Sequence, residues 1–420
     1  MGKRVVVVGT GVVGLCVALF CLRRGFEVTL VDREPPTRRS CSFGNSGLVV
    51  PSHFVPLAAP GAVARGLRWM FNPVAPFHIR PRLSLDLFAW LLRFARSATQ
   101  EHVTRAAPLL RDLCFASRAH YEELAAQPGN EFGLVKQGLL VLCNSDHAFA
   151  EEIHSAETAR KLDMPADVYV GREALAMEPS LRPDIAGAIH YPLDCHLSPD
   201  RLIPCLEGMV SKAGGSFQWN TAIAGWRASA DRVLAARTQE GADIEADEFV
   251  LCTGAWSQEA VRGLGLTLPM QAGKGYSVTL PSYAKAPTHS ALLTEARVAV
   301  TPMNGGLRVG GTMELAGLDR SIDARRARAV VDAMSRYYAN VRSQDFDGVA
   351  PWAGLRPCSP DGLPYVGRAR KHSNLTVAAG HAMMGVTLGP VTGQIVSELL
   401  SGEKPAFDMA QLSPDRFAGR

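Results

Sequence analysis

The chain has 420 residues, of which 47% are hydrophobic and 20% charged, and its formal net charge is +4. That balance suits a globular protein of two domains, or one large α/β body with an insertion, and excludes disorder as the default. So small a positive excess, with no block of Lys and Arg interleaved with aromatics, argues against nucleic acid as a partner.

The first element is a long apolar run from Val5 to Leu22, interrupted only by Gly9, Thr10, Gly11 and Gly14 and flanked by Lys3, Arg4, Arg23 and Arg24. Hydropathy alone would allow a membrane anchor or a signal peptide. The glycines point elsewhere. Val5 to Val8 reads as a β-branched strand buried on both faces, Gly9 to Gly14 spells GxGxxG, and a helix runs on through Arg24 to Gly25. A second strand, Val28 to Val31, closes with Asp32, about 20 residues beyond the glycines, as a dinucleotide-binding βαβ start requires. Gly9 permits the sharp turn, Gly11 lets backbone approach a pyrophosphate, and Gly14 lets the helix pack close to the sheet. The helix start at Val12 and Val13 offers free N–H groups to phosphate, and Asp32 offers a carboxylate to ribose hydroxyls.

Further along, residues 61–98 are rich in Arg, Trp and Phe and poor in acids. Such a stretch suits docking on an anionic membrane surface, and equally suits amphipathic helices covering a pocket. Asp200 to Ala213 reads as a helix. Glu248 to Thr253 reads as a strand that runs into Thr253-Gly254, a glycine turn suited to backbone contact with a nucleotide. Leu375 to Ala379 reads as a strand, Gly380 and Gly385 bracket a loop, and Gly389 to Leu400 reads as a helix. The nine cysteines are dispersed, with no CxxC pair and no metal-ligand spacing, so free thiols in a reducing cytoplasm are expected and no metal site.

Five segments carry a resemblance: CSFGNSGLVVPSHFVPLAAPG, KGYSVTLP, LRVGGTMELAG, WAGLRPCSPDGLPYVGR and LTVAAGHAMMGVTLGPVTGQIVSELLSG. Together they resemble the D-amino-acid dehydrogenase family of FAD-dependent amine oxidoreductases, within the glycine oxidase and D-amino-acid oxidase superfamily. The resemblance implies an α/β protein, a Rossmann-type FAD-binding domain with an inserted antiparallel-sheet substrate domain. Residues 1–52, 195–260 and 345–420 would form the FAD-binding domain, and 53–194 and 261–344 the substrate-binding domain. It also implies FAD contacts at Arg33, at Asn45, Ser46 and Gly47, and at Gly380, His381, Met384, Gly385, Val386 and Thr387. There the helix dipole would stabilise charge on the reduced flavin.

Oxidising an amino acid at Cα needs its carboxylate held while a hydride leaves, and a bidentate arginine is the natural clamp. Arg356 occupies the position that resembles the family's carboxylate-binding arginine; its alternative is an ion pair with Asp361. His53 is a candidate base or substrate hydrogen-bonding group, and His381 a candidate for positioning the flavin. Tyr276 is a candidate pocket residue, and Glu314 either meets a substrate amine or is exposed. Relatives of the glycine oxidase type carry a pocket tyrosine in the segment corresponding to 296–302, and this chain has none there. The resemblance implies D-amino or D-imino acid substrates, closer to D-proline and cis-4-hydroxy-D-proline than to D-alanine. It implies a quinone or other acceptor, and the stretch 61–98, where it docks on a membrane rather than covering the pocket, would give peripheral contact at the inner face of the cell membrane. The competing readings are a small-amine oxidase that uses O₂ and a catalytically idle flavoprotein sensor.

Overall fold

A computed structural model describes residues 2–37, 40–69, 75–127 and 130–418. Strand Arg4–Val8 buries all four of its valines and lies between Glu248–Leu251 and Glu27–Val31, parallel to both. A central strand in a parallel sheet is covered on both faces, so an unbroken β-branched run belongs there. The six-stranded sheet has the order Tyr365–Arg368, Leu375–Ala379, Glu248–Leu251, Arg4–Val8, Glu27–Val31 and Ser216–Gln218. Within it, only Tyr365–Arg368 pairs in the antiparallel sense.

Helix Val12–Arg23 is apolar all round because it is buried all round: from Val12 to Cys21 only Val13 keeps partial exposure. It is a core helix of the first βαβ unit, which accounts for the opening hydropathy. Among the described residues no helix is long and apolar enough to cross a membrane. Helix Pro199–Lys212 packs against it on one side and helix Gly385–Leu400 on another.

The last of these helices begins four residues before the predicted start at Gly389. Pro390 lies inside the helix and has no N–H to offer the carbonyl of Val386. The buried hydroxyl of Tyr121 donates to that carbonyl at 2.6 Å and replaces the missing bond. Tyr121 belongs to helix Gln100–Ala125, so a long-range contact makes the extra turn possible.

A second, nine-stranded sheet has the order Trp352–Cys358, Gln271–Leu280, Gly306–Leu315, Val298–Met303, Ser290–Leu293, Leu139–Cys143, Gly187–Tyr191 and Asp167–Val170, with Phe77–Ile79 added beside Gly306–Leu315. Trp352–Cys358 falls in the segment predicted to complete the cofactor-binding part, yet it pairs along Gln271–Leu280 from Ser277 to Gln271. It is thus a strand of the larger sheet, and Arg356 is carried on it. A small antiparallel sheet, Ile223–Ala228, Val233–Thr238 and Asp243–Glu245, stands apart.

The crossing of Val12–Arg23 and Gly385–Leu400 is tight: a Cβ on Gly393 would sit 2.6 Å from the carbonyl oxygen of Cys16. Gly393→Ala is therefore expected to destabilise the protein by about 1–3 kcal/mol through overpacking. Urea unfolding of the two proteins measures this, and an unchanged midpoint would show that the helices can separate freely.

Candidate active site

A cavity of about 1840 Å³ runs along the carboxyl ends of the first parallel strands and continues beneath the nine-stranded sheet. Its first part is built by the glycine turn. Gly9 has φ +106°, and a Cβ there would lie 2.4 Å from the carbonyl oxygen of Cys252; one on Gly14 would lie 1.9 Å from that of Gly9. No side chain fits at either position, and Gly9 presents only backbone to the cavity. Asp32 is held at the end of its strand by Thr10, whose N–H donates to Oδ2 at 2.8 Å, and by the N–H of Glu34, which donates to Oδ1 at 3.0 Å. The Thr10 hydroxyl also donates to Oδ2, at 2.5 Å, so of the roughly four acceptor positions of a carboxylate about one remains, on Oδ1, for a ribose hydroxyl. Arg33 stacks over the ring of Trp256 at 4.0 Å beside it.

Of the residues expected to hold a cofactor, Gly9, Gly11, Val12, Val13, Asp32, Arg33, Asn45, Ser46, Thr253, Gly254, His381, Met384, Gly385, Val386 and Thr387 line this one cavity. Gly14, Gly47 and Gly380 lie behind its wall. The loop carrying Asn45 and Ser46 is clamped to the large sheet: Ser277 Oγ donates to Gly44 O at 3.0 Å, Arg308 Nη1 to Asn45 O at 2.8 Å, and Thr301 Oγ1 to Ser46 O at 2.8 Å. Thr387 Oγ1 donates to Leu48 O at 3.0 Å and ties the same loop to the start of Gly385–Leu400. A glycine cradle, an acidic strand end and a helix N-terminus on the same cavity fit a dinucleotide of FAD type.

Arg356 stands in the second part of the cavity. One guanidinium nitrogen, Nη1, donates to the carbonyl of Thr312 at 2.6 Å, and a Cβ on Gly275 would lie 2.2 Å from that nitrogen. Gly275 thus leaves room for the guanidinium on the pleated surface. Burial holds the Arg356 pKa below the ordinary arginine value, opposed by nearby Cys41 and Cys358, and the group stays charged. The expected competitor, Asp361, belongs to another arginine: Arg416 Nε and Nη2 bind its two oxygens at 2.7 and 2.9 Å. Among the described residues Arg356 forms no ion pair, so its remaining donors are open to a carboxylate.

His381 is buried, and burial pushes its pKa down to about 4. Its Nε2 lies 3.0 Å from Thr392 Oγ1, and that hydroxyl donates its single proton to Leu388 O at 2.7 Å. Nε2 must therefore carry the proton and donate. A neutral ring pinned in this way positions what it faces and is poorly suited to exchange protons near neutrality. His53 is half-buried on the cavity wall, and burial, followed by the charge of Arg297, lowers its pKa. A neutral imidazole there can accept a hydrogen bond or a proton. The turn before it is held by Asp194, a fully buried carboxyl whose pKa burial pushes up to about 7 and which accepts from Ser52 N at 3.0 Å.

Tyr276 contributes to the cavity lining as expected, with its side chain on the opposite face of the sheet from Arg356, and the expectation for Glu314 is corrected. Along a strand, alternate residues share a face. Ser277 bonds the cavity loop and Gly275 lies under Arg356, which leaves Lys274 and Tyr276 on the far side. There Tyr276 Oη donates to Glu314 at 3.0 Å, and Glu314 pairs with Lys274 at 3.5 Å and Arg326 at 3.7 Å. Glu314 is accordingly neither exposed nor a partner for a substrate amine.

Other residues escaped the sequence reading. Ser42 Oγ accepts from Val12 N at 3.2 Å, at the start of the cradle helix. Thr312, with φ +61°, supplies the carbonyl that holds Arg356, and Arg416 diverts Asp361. A serine beside the FGNSG motif was a usable signal for the first; the others depend on contacts distant in sequence.

Arg356→Ala should weaken carboxylate ligands at least tenfold, since a bond to a charged group contributes about 1.5–3 kcal/mol. Folding should be unaffected because Asp361 keeps its own arginine. Titrating the purified variant with benzoate, followed by its absorbance, measures this; unchanged affinity would remove Arg356 from the site.

The family model described as "FAD dependent oxidoreductase" matches residues 4–399. A D-amino acid dehydrogenase of Paramagnetospirillum magneticum is 34% identical over 420 residues, covering 99% of each chain. One of Methylobacterium radiotolerans is 33% identical over 426 residues, again covering 99% of each. Among solved structures, glycine oxidase from Geobacillus kaustophilus shares the fold with a TM-score of 0.79 at 24% identity, covering 99% of this chain and 100% of that one. L-proline dehydrogenase from P. horikoshii does so with a TM-score of 0.75 at 18% identity, covering 99% and 98%. The match extends from the first strand to the end of the helix that closes the cavity, and the chain belongs to the FAD dependent oxidoreductase family, with the Rossmann-type FAD-binding fold and an inserted sheet domain.

Proposed function

We propose that this protein binds FAD and oxidises the C–N bond of D-amino or D-imino acids, with D-proline and cis-4-hydroxy-D-proline favoured over D-alanine. The observation that carries the reading is Arg356, an arginine without a carboxylate partner on the same cavity as the dinucleotide cradle. The D-amino acid dehydrogenases at 33% and 34% identity support the substrate class. FAD, when bound, accepts the hydride that leaves Cα. The protein's own task is then orientation: Arg356 holds the carboxylate, and neutral His53 accepts a hydrogen bond or proton from the substrate amine. His381 and the start of Gly385–Leu400 fix the far edge of the site. The product imine hydrolyses to a keto acid, or stays cyclic when the substrate is a proline.

For the acceptor we infer a quinone met at an anionic bilayer. Helix Ala62–Trp69 buries none of its side chains, and Leu67, Leu83, Leu85 and Phe88 are 56, 108, 89 and 68% exposed. Residues 61–98 carry six arginines, including exposed Arg65, Arg68 and Arg96, against Asp86 as the only acid. An apolar surface rimmed by arginine suits the headgroup region of acidic lipid. Val63 and Leu67 also line the cavity, so its wall reaches this surface.

Anaerobic addition of D-proline, cis-4-hydroxy-D-proline, D-alanine and their L-isomers to the yellow holoprotein should bleach the flavin absorbance with the D-imino acids fastest. A flavin that none of them reduces refutes the proposed reaction. Separately, the protein should float with phosphatidylglycerol-containing vesicles and remain behind with purely zwitterionic ones. Failure to float with either would remove the bilayer and leave the amine chemistry standing.

A further inference from the structure

We infer that Arg297 is a specificity-determining residue, which donates to a second oxygen acceptor on the substrate, a ring hydroxyl or a side-chain carboxylate, while Arg356 holds the α-carboxylate. The inference rests on the reading just given and names what that site selects. Arg297 lies in the turn that joins Ser290–Leu293 to Val298–Met303, is exposed there, and lines the cavity. Val298 pairs with Gly311, and a Cβ on Gly311 would meet the carbonyl oxygen of Arg297 at 3.2 Å. The next residue, Thr312, supplies the carbonyl that anchors Arg356 Nη1. Arg297 and the carbonyl that anchors Arg356 are therefore rooted beside the same pair of residues, Gly311 and Thr312, while Arg356 itself reaches there from Trp352–Cys358, two strands further along the sheet.

Both roots are strained. Arg297 has φ +52° and Thr312 φ +61°, left-handed conformations that are unusual for side-chain-bearing residues and most costly for a β-branched one. Strain of this kind persists where the surroundings over-determine it, and its clustering at one wall of a cavity points to a ligand site. Thr312 Oγ1 is also buried, with no hydrogen-bond partner among the described residues.

Arg297 is open to a ligand. Among the described residues it makes no hydrogen bond or ion pair within 4 Å. Its acidic neighbour Glu295 is occupied by the N–H groups of Asn144 and Ser145, the hydroxyl of Ser145 and the hydroxyl of Tyr337. Glu152, half-buried across the cavity, feels the charge of Arg297 without contacting it. A guanidinium has donors and no acceptor, so whatever it recognises must present an acceptor oxygen. The α-carboxylate is claimed by Arg356, which leaves an oxygen further along the substrate.

The test compares anaerobic flavin reduction by D-proline, cis-4-hydroxy-D-proline and D-glutamate in wild type, Arg297→Met and Arg297→Lys holoprotein, with flavin content and melting temperature checked for each. Wild type should prefer one oxygen-bearing substrate over D-proline. Arg297→Met should lower kcat/KM for that substrate by about tenfold or more, the loss expected for one bond to a charged group, and change D-proline less than about twofold. Arg297→Lys should recover part of the loss. Which substrate suffers identifies the oxygen: the hydroxyl if it is hydroxyproline, the carboxylate if it is glutamate. Equal effects on all three substrates, or a wild-type preference for D-proline, would overturn the role of Arg297 alone. Absence of reduction by any of them would overturn the amine-oxidising reading, and this inference with it.

Discussion

The close crossing of helices Val12–Arg23 and Gly385–Leu400 is the contact on which the site depends. Gly389 lies over Val12 and Cys16, and Gly393 lies against the backbone of Cys16, so the two axes approach more closely than larger residues would allow. One helix begins the chain's first βαβ unit and the other closes the fold near its end. Their crossing brings both N-termini to a single cavity, with Val12 and Val13 at one place on its wall and Gly385, Val386 and Thr387 at another. Each helix start carries partial positive charge and free N–H groups. One cavity thereby offers two anion-favouring ends, one suited to a pyrophosphate and one to the charge of a reduced ring. The hydroxyl of Tyr121 sustains the second of them, because without its bond to Val386 the turn preceding Pro390 would lack a donor.

Charge is arranged with the same economy. A buried cation without a counter-ion is unfavourable, and removing a carboxylate from its neighbourhood makes it more so. Arg356 tolerates this because Thr312 O takes one of its protons and because the cavity admits water or ligand to the others. Asp361, the carboxylate nearest Arg356 in sequence, is taken by Arg416 through two bonds, and Arg416 also stacks on Tyr365 at 4.0 Å.

Local signatures were legible in the sequence. The strand, glycine turn, helix, strand and terminal acid from Val5 to Asp32 form one contiguous unit whose geometry is dictated by neighbouring residues, and it stands where it was expected. The turn at Thr253 and Gly254 follows a strand of recognisable pattern, and the loop at Asn45 and Ser46 and the segment from His381 to Thr387, which family resemblance implied, meet it on the cavity. What escaped reading depends on pairing between distant segments. Trp352–Cys358 joins the larger sheet because Gln271–Leu280 offers it an edge, a fact that periodicity within either segment cannot supply. Which face of the sheet Tyr276 occupies is set by the same register, and a shift of one residue would reverse it. Ser42 and Arg416 act through partners 30 and 55 residues away, where composition carries no signal.

The same register governs the placement of Arg356. On the far face of the sheet, Lys274 stands opposite Glu314, and two residues later Tyr276 stands opposite Gly311. Two steps along one strand are matched by three along the other, so Gly306–Leu315 carries an extra residue in a bulge at this point. The bulge contains Thr312 in its left-handed conformation, which turns its carbonyl toward Arg356. The residues on either side of the bulge are fixed by the buried group of Lys274, Tyr276, Glu314 and Arg326, whose charges and hydrogen bonds require Glu314 to stay within reach of all three partners. If Glu314 moved one place along, it would change faces, and its charge would be buried without them. The polar cluster around Glu314 therefore acts from behind the sheet: by holding Glu314 in register it holds the bulge, and by holding the bulge it sets where the anchor of Arg356 stands.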